Sequence, residues 1–108
     1  MPHQVFLTRD AIADLDALYA YIADKDGSDR ADHVAGSIKA AFEGLSESPH
    51  RGTWPKELLE LGIREYREVF FRAYRIIYRV IDETVYVMLI VDGRRDMQTL
   101  LQRRLVQG

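Results

Sequence analysis

Arginine side chains are the groups in this chain with the clearest capacity for chemistry. Arg75 and Arg79 lie in the apolar run 74–81, and Arg94 and Arg95 follow the next apolar run, 85–91. A guanidinium group is permanently charged and presents a planar fork of donors to phosphate or carboxylate. Guanidinium groups on and just beyond two neighbouring strands therefore predict a surface that binds an anionic partner.

The charge of the chain is unevenly distributed. Residues 1–62 hold 6 Lys+Arg against 11 Asp+Glu, a net charge of −5, whereas residues 63–108 hold 9 against 6, a net charge of +3. All nine basic residues of the second part are arginine. An arginine-rich basic half indicates an acidic partner, either nucleic acid or an acidic protein segment. Composition does not choose between the two.

Composition and spacing exclude several kinds of site. With no cysteine among its 108 residues, the chain can form no disulfide, thiolate zinc site or thiol nucleophile. No two histidines have metal-ligand spacing, so neither a metal site nor a cofactor is predicted. No apolar run is long enough for a secretory signal or a membrane span. We expect a single domain over residues 1–108, located in the cytoplasm, with no membrane partner.

Hydrophobic periodicity predicts an α+β fold. Thr8 and Asp96 are expected to cap the first and last helices, and Trp54 to cover an edge of the core. The fold would place an N-terminal helical hairpin on one face of a small, mainly antiparallel four-stranded sheet, with a short C-terminal helix. The predicted elements are a strand at 4–7, helices at about 9–24 and 28–45, a helical turn at 56–61, strands at 63–71, 74–82 and 85–91 joined by tight turns, and a helix after residue 96.

The second face of the predicted sheet needs a cover. Strand 85–91 is apolar on both sides, and a short C-terminal helix cannot cover a whole sheet. We therefore expect an apolar groove that stays open until a partner binds. Strict alternation along the strands selects the residues of this groove. Its floor would be Ile77, Tyr86, Met88 and Ile90, and its edges Arg75 and Arg79.

Several weak motifs become specific when they are taken together. They are Leu15-x-x-Leu18-x-x-Tyr21-Ile22, Phe42-x-x-Leu45, Pro49-x-x-Gly52, Glu57-Leu58, Gly62-Ile-Arg64, Tyr74-Arg-Ile-Ile-Tyr-Arg-Val80 and Gly93-Arg-Arg-Asp96. In this order and at these spacings they resemble the RelE/ParE superfamily of toxins from bacterial type II toxin–antitoxin modules. The resemblance implies a toxin held in a hetero-oligomer by a cognate antitoxin. A segment of that antitoxin, disordered until bound, would fill the groove.

The superfamily contains two activities. The resemblance therefore implies one of two activities: RelE-like members cut messenger RNA on the ribosome, and ParE-like members inhibit DNA gyrase. Carried over by position, the nuclease arginines fall on Arg75 and Arg95, and Arg67 replaces a lysine. The other lysine and the tyrosine of such nucleases fall on Val69 and Leu101, which cannot transfer a proton.

The missing proton-transfer groups favour the ParE-like reading, in which the protein binds DNA gyrase and performs no chemistry. The turn after strand 85–91 and the last helix would then contact the target through Arg94, Arg95, Arg103 and Arg104. The RelE-like nuclease, with ribosome and messenger RNA as partners, is the alternative. A third reading is a toxin fold that has lost its toxicity and survives as an antitoxin-binding component.

Overall fold

A computed structural model describes residues 2–107 and confirms the predicted α+β class. The elements are β1 Gln4–Leu7, α1 Arg9–Asp26, α2 Ser28–Glu43, α3 Lys56–Leu59, β2 Arg67–Phe71, β3 Tyr74–Ile81, β4 Thr84–Asp92 and α4 Met97–Leu101. The sheet has the strand order β1-β4-β3-β2, in which β1 is parallel to β4 and the other neighbours are antiparallel. A 3-10 turn follows α2, and a π-helical turn at Gln102–Val106 extends α4.

The helical hairpin is built from local signals in the sequence. The Thr8 side chain caps α1 by accepting a hydrogen bond from the amide of Ala11 at 3.1 Å, as expected for a threonine before a helix. Gly27, with φ of 93°, is the single residue between α1 and α2, and glycine adopts this conformation without steric cost. The apolar stripes of both helices pack on one face of the sheet, in a core formed mainly by Ile22, Val34, Ile38, Phe42, Ile76, Tyr78, Val85 and Val87.

A bulge in β4 overturns the predicted alternation of that strand. Ile77 lies opposite Leu89 and Tyr78 lies opposite Val87, so Met88 is an extra residue with no partner in β3. Beyond a bulge of this kind, side chains that strict alternation assigns to one face of the sheet lie on the other face. Ile90 therefore packs with the helices, not in the predicted groove.

The expectation of an open groove is also wrong. The side chains of α4 lie on the second face and seal its centre, where Ile77 is fully buried. Asp96 caps α4 as predicted, accepting from the amide of Thr99 at 3.2 Å. A helix as short as α4 can close this half of the second face because α3 and the loop before β2 cover the part that α4 does not reach. The second core consists of Leu58, Tyr66, Ile77, Leu89, Val91, Met97, Leu100 and Leu101.

An ion pair attaches the C-terminal segment to α1 beside the bulge. Arg104 donates from Nη1 and Nη2 to the two carboxylate oxygens of Asp14 at 3.1 and 2.9 Å. The same carboxylate accepts from the amide of Ile90 at 3.1 Å, and the carbonyl of Met88 accepts from Thr8 and Arg104, each at 3.3 Å. Asp14 and Arg104 thus satisfy backbone groups that the bulge removes from regular pairing.

We expect Asp14→Ala to lower the free energy of unfolding by about 2 kcal/mol, because it removes a bidentate ion pair and an acceptor for a backbone amide. Asp16→Ala is the matched control, since Asp16 is an exposed aspartate on the same helix and should change stability by less than about 0.5 kcal/mol. Urea unfolding of both variants measures the difference. Equal midpoints would show that the Asp14 pair does not stabilise the fold.

Strand β2 is shorter than the sequence predicts. It begins at Arg67, not at Ile63, because Tyr66 turns into the second core. The outer edge of β2 is paired at one point, where Thr53 and Glu68 exchange two backbone hydrogen bonds of 3.1 and 2.7 Å. The turn between β3 and β4 also lies one residue earlier than predicted, with Asp82 at φ of 53°.

Candidate functional site

Arg75 is the central arginine of the structure, and it is buried. Its Nη1 and Nη2 donate to the two carboxylate oxygens of Glu57 at 2.9 and 2.8 Å, and its Nε donates to Glu68 at 2.6 Å. The whole residue is 8% exposed. The prediction that Arg75 forms the edge of an open groove over Ile77 is therefore wrong, because that groove is filled and Arg75 is itself buried. In this fold its guanidinium binds α3 and the edge strand β2 to β3.

Opposite charges hold together Arg75, Glu57 and Glu68, which we call the triad. The fork of hydrogen bonds from Arg75 holds the pKa of the Glu57 carboxyl below its usual range. Burial raises the pKa of Glu68 despite its bond to the same guanidinium. The pKa of Arg75 is raised, chiefly by its hydrogen bonds to Glu57. One positive charge thus faces two carboxylates, which leaves no spare positive charge on Arg75 for a ligand.

An open cleft lies beside the triad, and we call it the Trp54 cleft. It has a volume of about 470 Å³, and Glu68 and Arg75 form part of its wall. Gly93 allows the close approach of the wall, since a Cβ atom there would lie 2.7 Å from Cδ of Arg75. The other lining residues are Trp54, Lys56, Phe70, Arg72, Ala73 and Arg94. Three cations and two aromatic rings favour binding of an anionic partner over acid–base chemistry.

Arg67 binds the loop before α3. Its Nη1 donates to the backbone carbonyls of Gly52 and His50 at 2.8 and 3.2 Å. The guanidinium also lies 5.4 Å from the ring centroid of Trp54, and that of Arg64 lies 5.5 Å from the same ring. Trp54 remains 41% exposed, so it covers the edge of the core less completely than the sequence suggested.

The three arginines of the nuclease hypothesis line three different clefts. Arg75 lines the Trp54 cleft. Arg95 lines a cleft of about 470 Å³ between α1 and β4, with Tyr21 on its helical side. Arg67 lines a smaller cleft at the start of β2. None of these three clefts is lined by more than one of the three arginines.

The arginines predicted to contact a target differ in how free they are. Arg94 is 77% exposed in its side chain although it pairs with Asp92 at 2.6 Å. Arg95 and Arg103 are exposed. Arg104 is occupied by Asp14, as described above, and its side chain is only 19% exposed.

The half of the second face that α4 leaves uncovered lies over β1 and the first part of β4. Phe6, 51% exposed, stacks on Tyr86 with ring centroids 6.3 Å apart. Met88 and Arg79 are half-buried beside it. Of the six residues predicted to bind the antitoxin, Arg79, Tyr86 and Met88 are accessible, whereas Arg75, Ile77 and Ile90 are buried.

Sequence reasoning missed the two carboxylates that hold Arg75. Phe70 lies opposite Arg75 in the pairing of β2 with β3, and Glu68 lies two residues before Phe70. Residues two apart on a strand share a face. Alternation along β2, together with its pairing to β3, would therefore have placed Glu68 on the same face of the sheet as Arg75. Glu57 lies on α3, distant in the chain, and only tertiary packing brings it to the guanidinium.

Comparison with solved structures shows which class of protein has this fold. The chain is similar to the chromosomal ParDE toxin–antitoxin system from P. aeruginosa, with a TM-score of 0.70 and 20% identity over 83% of this chain and 95% of that chain. It is similar to the RelBE2 toxin–antitoxin complex from Mycobacterium tuberculosis, with a TM-score of 0.56 and 26% identity over 85% and 92% of the two chains.

A third similar structure is a doubly mutated E. coli toxin RelE in the free state, with a TM-score of 0.65 and 19% identity over 97% of this chain and 100% of that chain. The helical hairpin on a four-stranded sheet is thus the fold of the RelE/ParE superfamily of toxins, as the sequence motifs implied.

The sequence places the chain more narrowly within that class. The family model described as ParE toxin of type II toxin-antitoxin system, parDE, matches residues 5–97. The chain belongs to this family of ParE toxins. No curated protein sequence matches it significantly. Across residues 2–107, none of the helices combines the length and the apolar character needed to cross a membrane.

Proposed function

We propose that this ParE-family toxin is neutralised by a cognate antitoxin and that it inhibits DNA gyrase by binding, with no chemistry of its own. The burial of Arg75 between Glu57 and Glu68 carries the proposal. A nuclease of the RelE kind needs an unneutralised cation at the scissile phosphate, and here the arginine at that position is neutralised by the protein itself. Action on gyrase also implies a location in the cytoplasm.

The residues at the proton-transfer positions support the same choice. Leu101 is 1% exposed and Val69 is 9% exposed, and they belong to the cores on opposite faces of the sheet. Neither side chain can act as an acid or a base. The separation of Arg67, Arg75 and Arg95 into different clefts further weakens the nuclease alternative.

The antitoxin would bind the uncovered half of the second face. Phe6 and Tyr86 provide a stacked aromatic pair, and Arg79 provides a charge beside it. An amphipathic segment with apolar and acidic side chains fits this combination. The ParDE and RelBE2 structures are toxin–antitoxin assemblies by their descriptions, which supports a partner of this kind for the present chain.

Gyrase would contact the exposed arginines after β4. Arg94 and Arg95 lie in the turn, and Arg103 lies on the last helical turn. Arg104 is a weaker candidate, because a target would have to compete with its bidentate bond to Asp14.

Expression of the chain without an antitoxin tests the target. We expect filamentous cells and induction of the DNA-damage response, and we expect the purified chain to inhibit supercoiling by gyrase. Arg95→Ala should weaken the inhibition about tenfold if it removes a charged hydrogen bond to gyrase, whereas Arg30→Ala, an exposed arginine on α2, should not. Arrested translation with new cuts in messenger RNA would establish the nuclease instead, and normal growth would indicate lost toxicity.

A further inference from the structure

A third cleft, which we call the Arg79 cleft, concentrates positive charge around a small cavity. It lies where β3 continues past the start of β2, and its volume is about 260 Å³. It has one carboxylate, Glu65, against three guanidinium groups and one imidazole. The lining residues are His50, Arg64, Glu65, Arg67, Arg79 and Val80.

Arg79 has an unsatisfied donor in this cleft. Its Nε is shielded from solvent and has no hydrogen-bond partner among residues 2–107. Its guanidinium lies over the ring of Tyr66, 5.6 Å from the centroid, which fixes the orientation of the planar group. A buried donor on a charged group is costly when it is left unpaired. Because Nε is out of reach of a ligand, an external anion would use the other donors of the group, and no ion pair among residues 2–107 neutralises the charge of Arg79.

The other two arginines are held in place by their surroundings. Arg67 uses only Nη1 for its bonds to the carbonyls of His50 and Gly52, so its remaining donors are available. Arg64 and Arg67 both pack on Trp54, which limits their rotamers. Guanidinium groups restrained in this way lose little conformational entropy when they bind a ligand.

We infer that the Arg79 cleft binds a phosphate group of a nucleic-acid backbone. The alternative ligand is a carboxylate from an acidic protein. A backbone phosphate and a carboxylate each offer two charged oxygens to guanidinium forks. The choice between them therefore rests on how the positive charge continues along the surface.

The continuation of the charge favours a polymer over a single phosphate. Trp54 packs on Arg64 and Arg67 and also lines the Trp54 cleft. Lys56, Arg72 and Arg94 line that second cleft together with Trp54. A basic surface interrupted by exposed aromatic rings is typical of proteins that follow a sugar–phosphate backbone. This site does not include Arg75, and it shares only Arg79 with the proposed antitoxin surface over Phe6 and Tyr86.

The sole tryptophan of the chain provides the measurement, since it contacts two of the arginines concerned. Its fluorescence can be followed while the full chain is titrated with single-stranded DNA, duplex DNA, RNA of the same sequence, or a poly-glutamate peptide. We expect at least one of the nucleic acids to bind more tightly than the peptide, and the tightest identifies its source. Binding should weaken linearly in a plot of log affinity against log salt concentration.

Two variants and a control locate the site. Arg79→Gln and Arg64→Gln should each weaken binding about tenfold and reduce the magnitude of the salt slope by about 1. Arg30→Gln, at an exposed position of α2, removes the same charge away from the cleft and should leave both quantities unchanged. Arg64 is exposed, so its substitution tests the site even if Arg79→Gln disturbs folding. Wild-type affinity in the Arg64 variant, or tighter binding of poly-glutamate than of any nucleic acid, would overturn the inference.

Discussion

Arg75→Ala is expected to lower the free energy of unfolding at neutral pH by about 3–5 kcal/mol. The substitution leaves the carboxylates of Glu57 and Glu68, which are 8% and 6% exposed, without their shared cation. Breaking a buried pair from one side is costly because the remaining charge stays desolvated. Urea unfolding followed by circular dichroism measures the loss.

Arg94→Ala is the matched control for this prediction. Its pair with Asp92 is as short, at 2.6 Å, but the Arg94 side chain is 77% exposed. Exposed pairs contribute about 0–1 kcal/mol, so this variant should unfold close to the wild type. A loss below about 1 kcal/mol for Arg75→Ala would contradict the structural role that we assign to the triad. Any loss of toxicity in Arg75→Ala must be compared with its stability before a functional role is assigned.

The pH dependence of the Arg75→Ala effect follows from the same geometry. In the wild type, the lowered pKa of Glu57 contributes stability that is present above the unfolded pKa and is lost as pH falls through the folded pKa. The raised pKa of Glu68 acts in the opposite direction, so its burial cost is relieved as pH falls.

Without Arg75, both carboxylates keep their burial and lose their cation, so both pKa values should be raised in the variant. The destabilisation should therefore be largest near pH 7 and should shrink as pH falls below about 5. Urea unfolding of the wild type and of Arg75→Ala, at pH 7 and at a pH below about 5, measures this change. A destabilisation that grows on acidification would contradict the prediction.

Leu101→Ala should have an effect of similar size, about 2–5 kcal/mol. Leu101 is 1% exposed in the second core, between α4 and the sheet. Its truncation leaves a cavity and loosens the cover over Ile77 and Leu89. Urea unfolding gives the stability, and binding of a hydrophobic dye reports exposure of the second face.

Val106→Ala is the control for Leu101, because Val106 is 47% exposed in the π-helical turn. It should change stability by less than about 0.5 kcal/mol and should not increase dye binding. If Leu101→Ala were equally neutral and bound no additional dye, α4 would not be the cover that the structure shows.

Closure of half the second face by α4 limits how this toxin can be recognised. The groove centred on Ile77 is filled by the chain itself, and the aromatic pair Phe6 and Tyr86 lies on the half of this face that stays uncovered. The arginines are likewise divided. Arg75 and Arg104 are held in ion pairs within the chain, whereas Arg64, Arg79 and Arg95 line clefts.

Features that depend on near neighbours in the chain were predictable from the sequence. The caps Thr8 and Asp96, the hairpin at Gly27 and the alternation of β3 all rest on contacts within a few residues or on the period of one element. The motif order further identified the superfamily. Local propensity and periodicity are readable without knowing which elements touch.

The site depended on the tertiary structure, because it is built from residues far apart in the chain. A single bulged residue, Met88, decided which side chains of β4 face the helices, and strict alternation cannot reveal such an insertion. Glu57 reached Arg75 across 18 residues, and α4 closed the face predicted to be open. The amino-acid sequence alone determined where the arginines stand along the chain, and packing decided which of them form ion pairs within it, as Arg75 and Arg104 do.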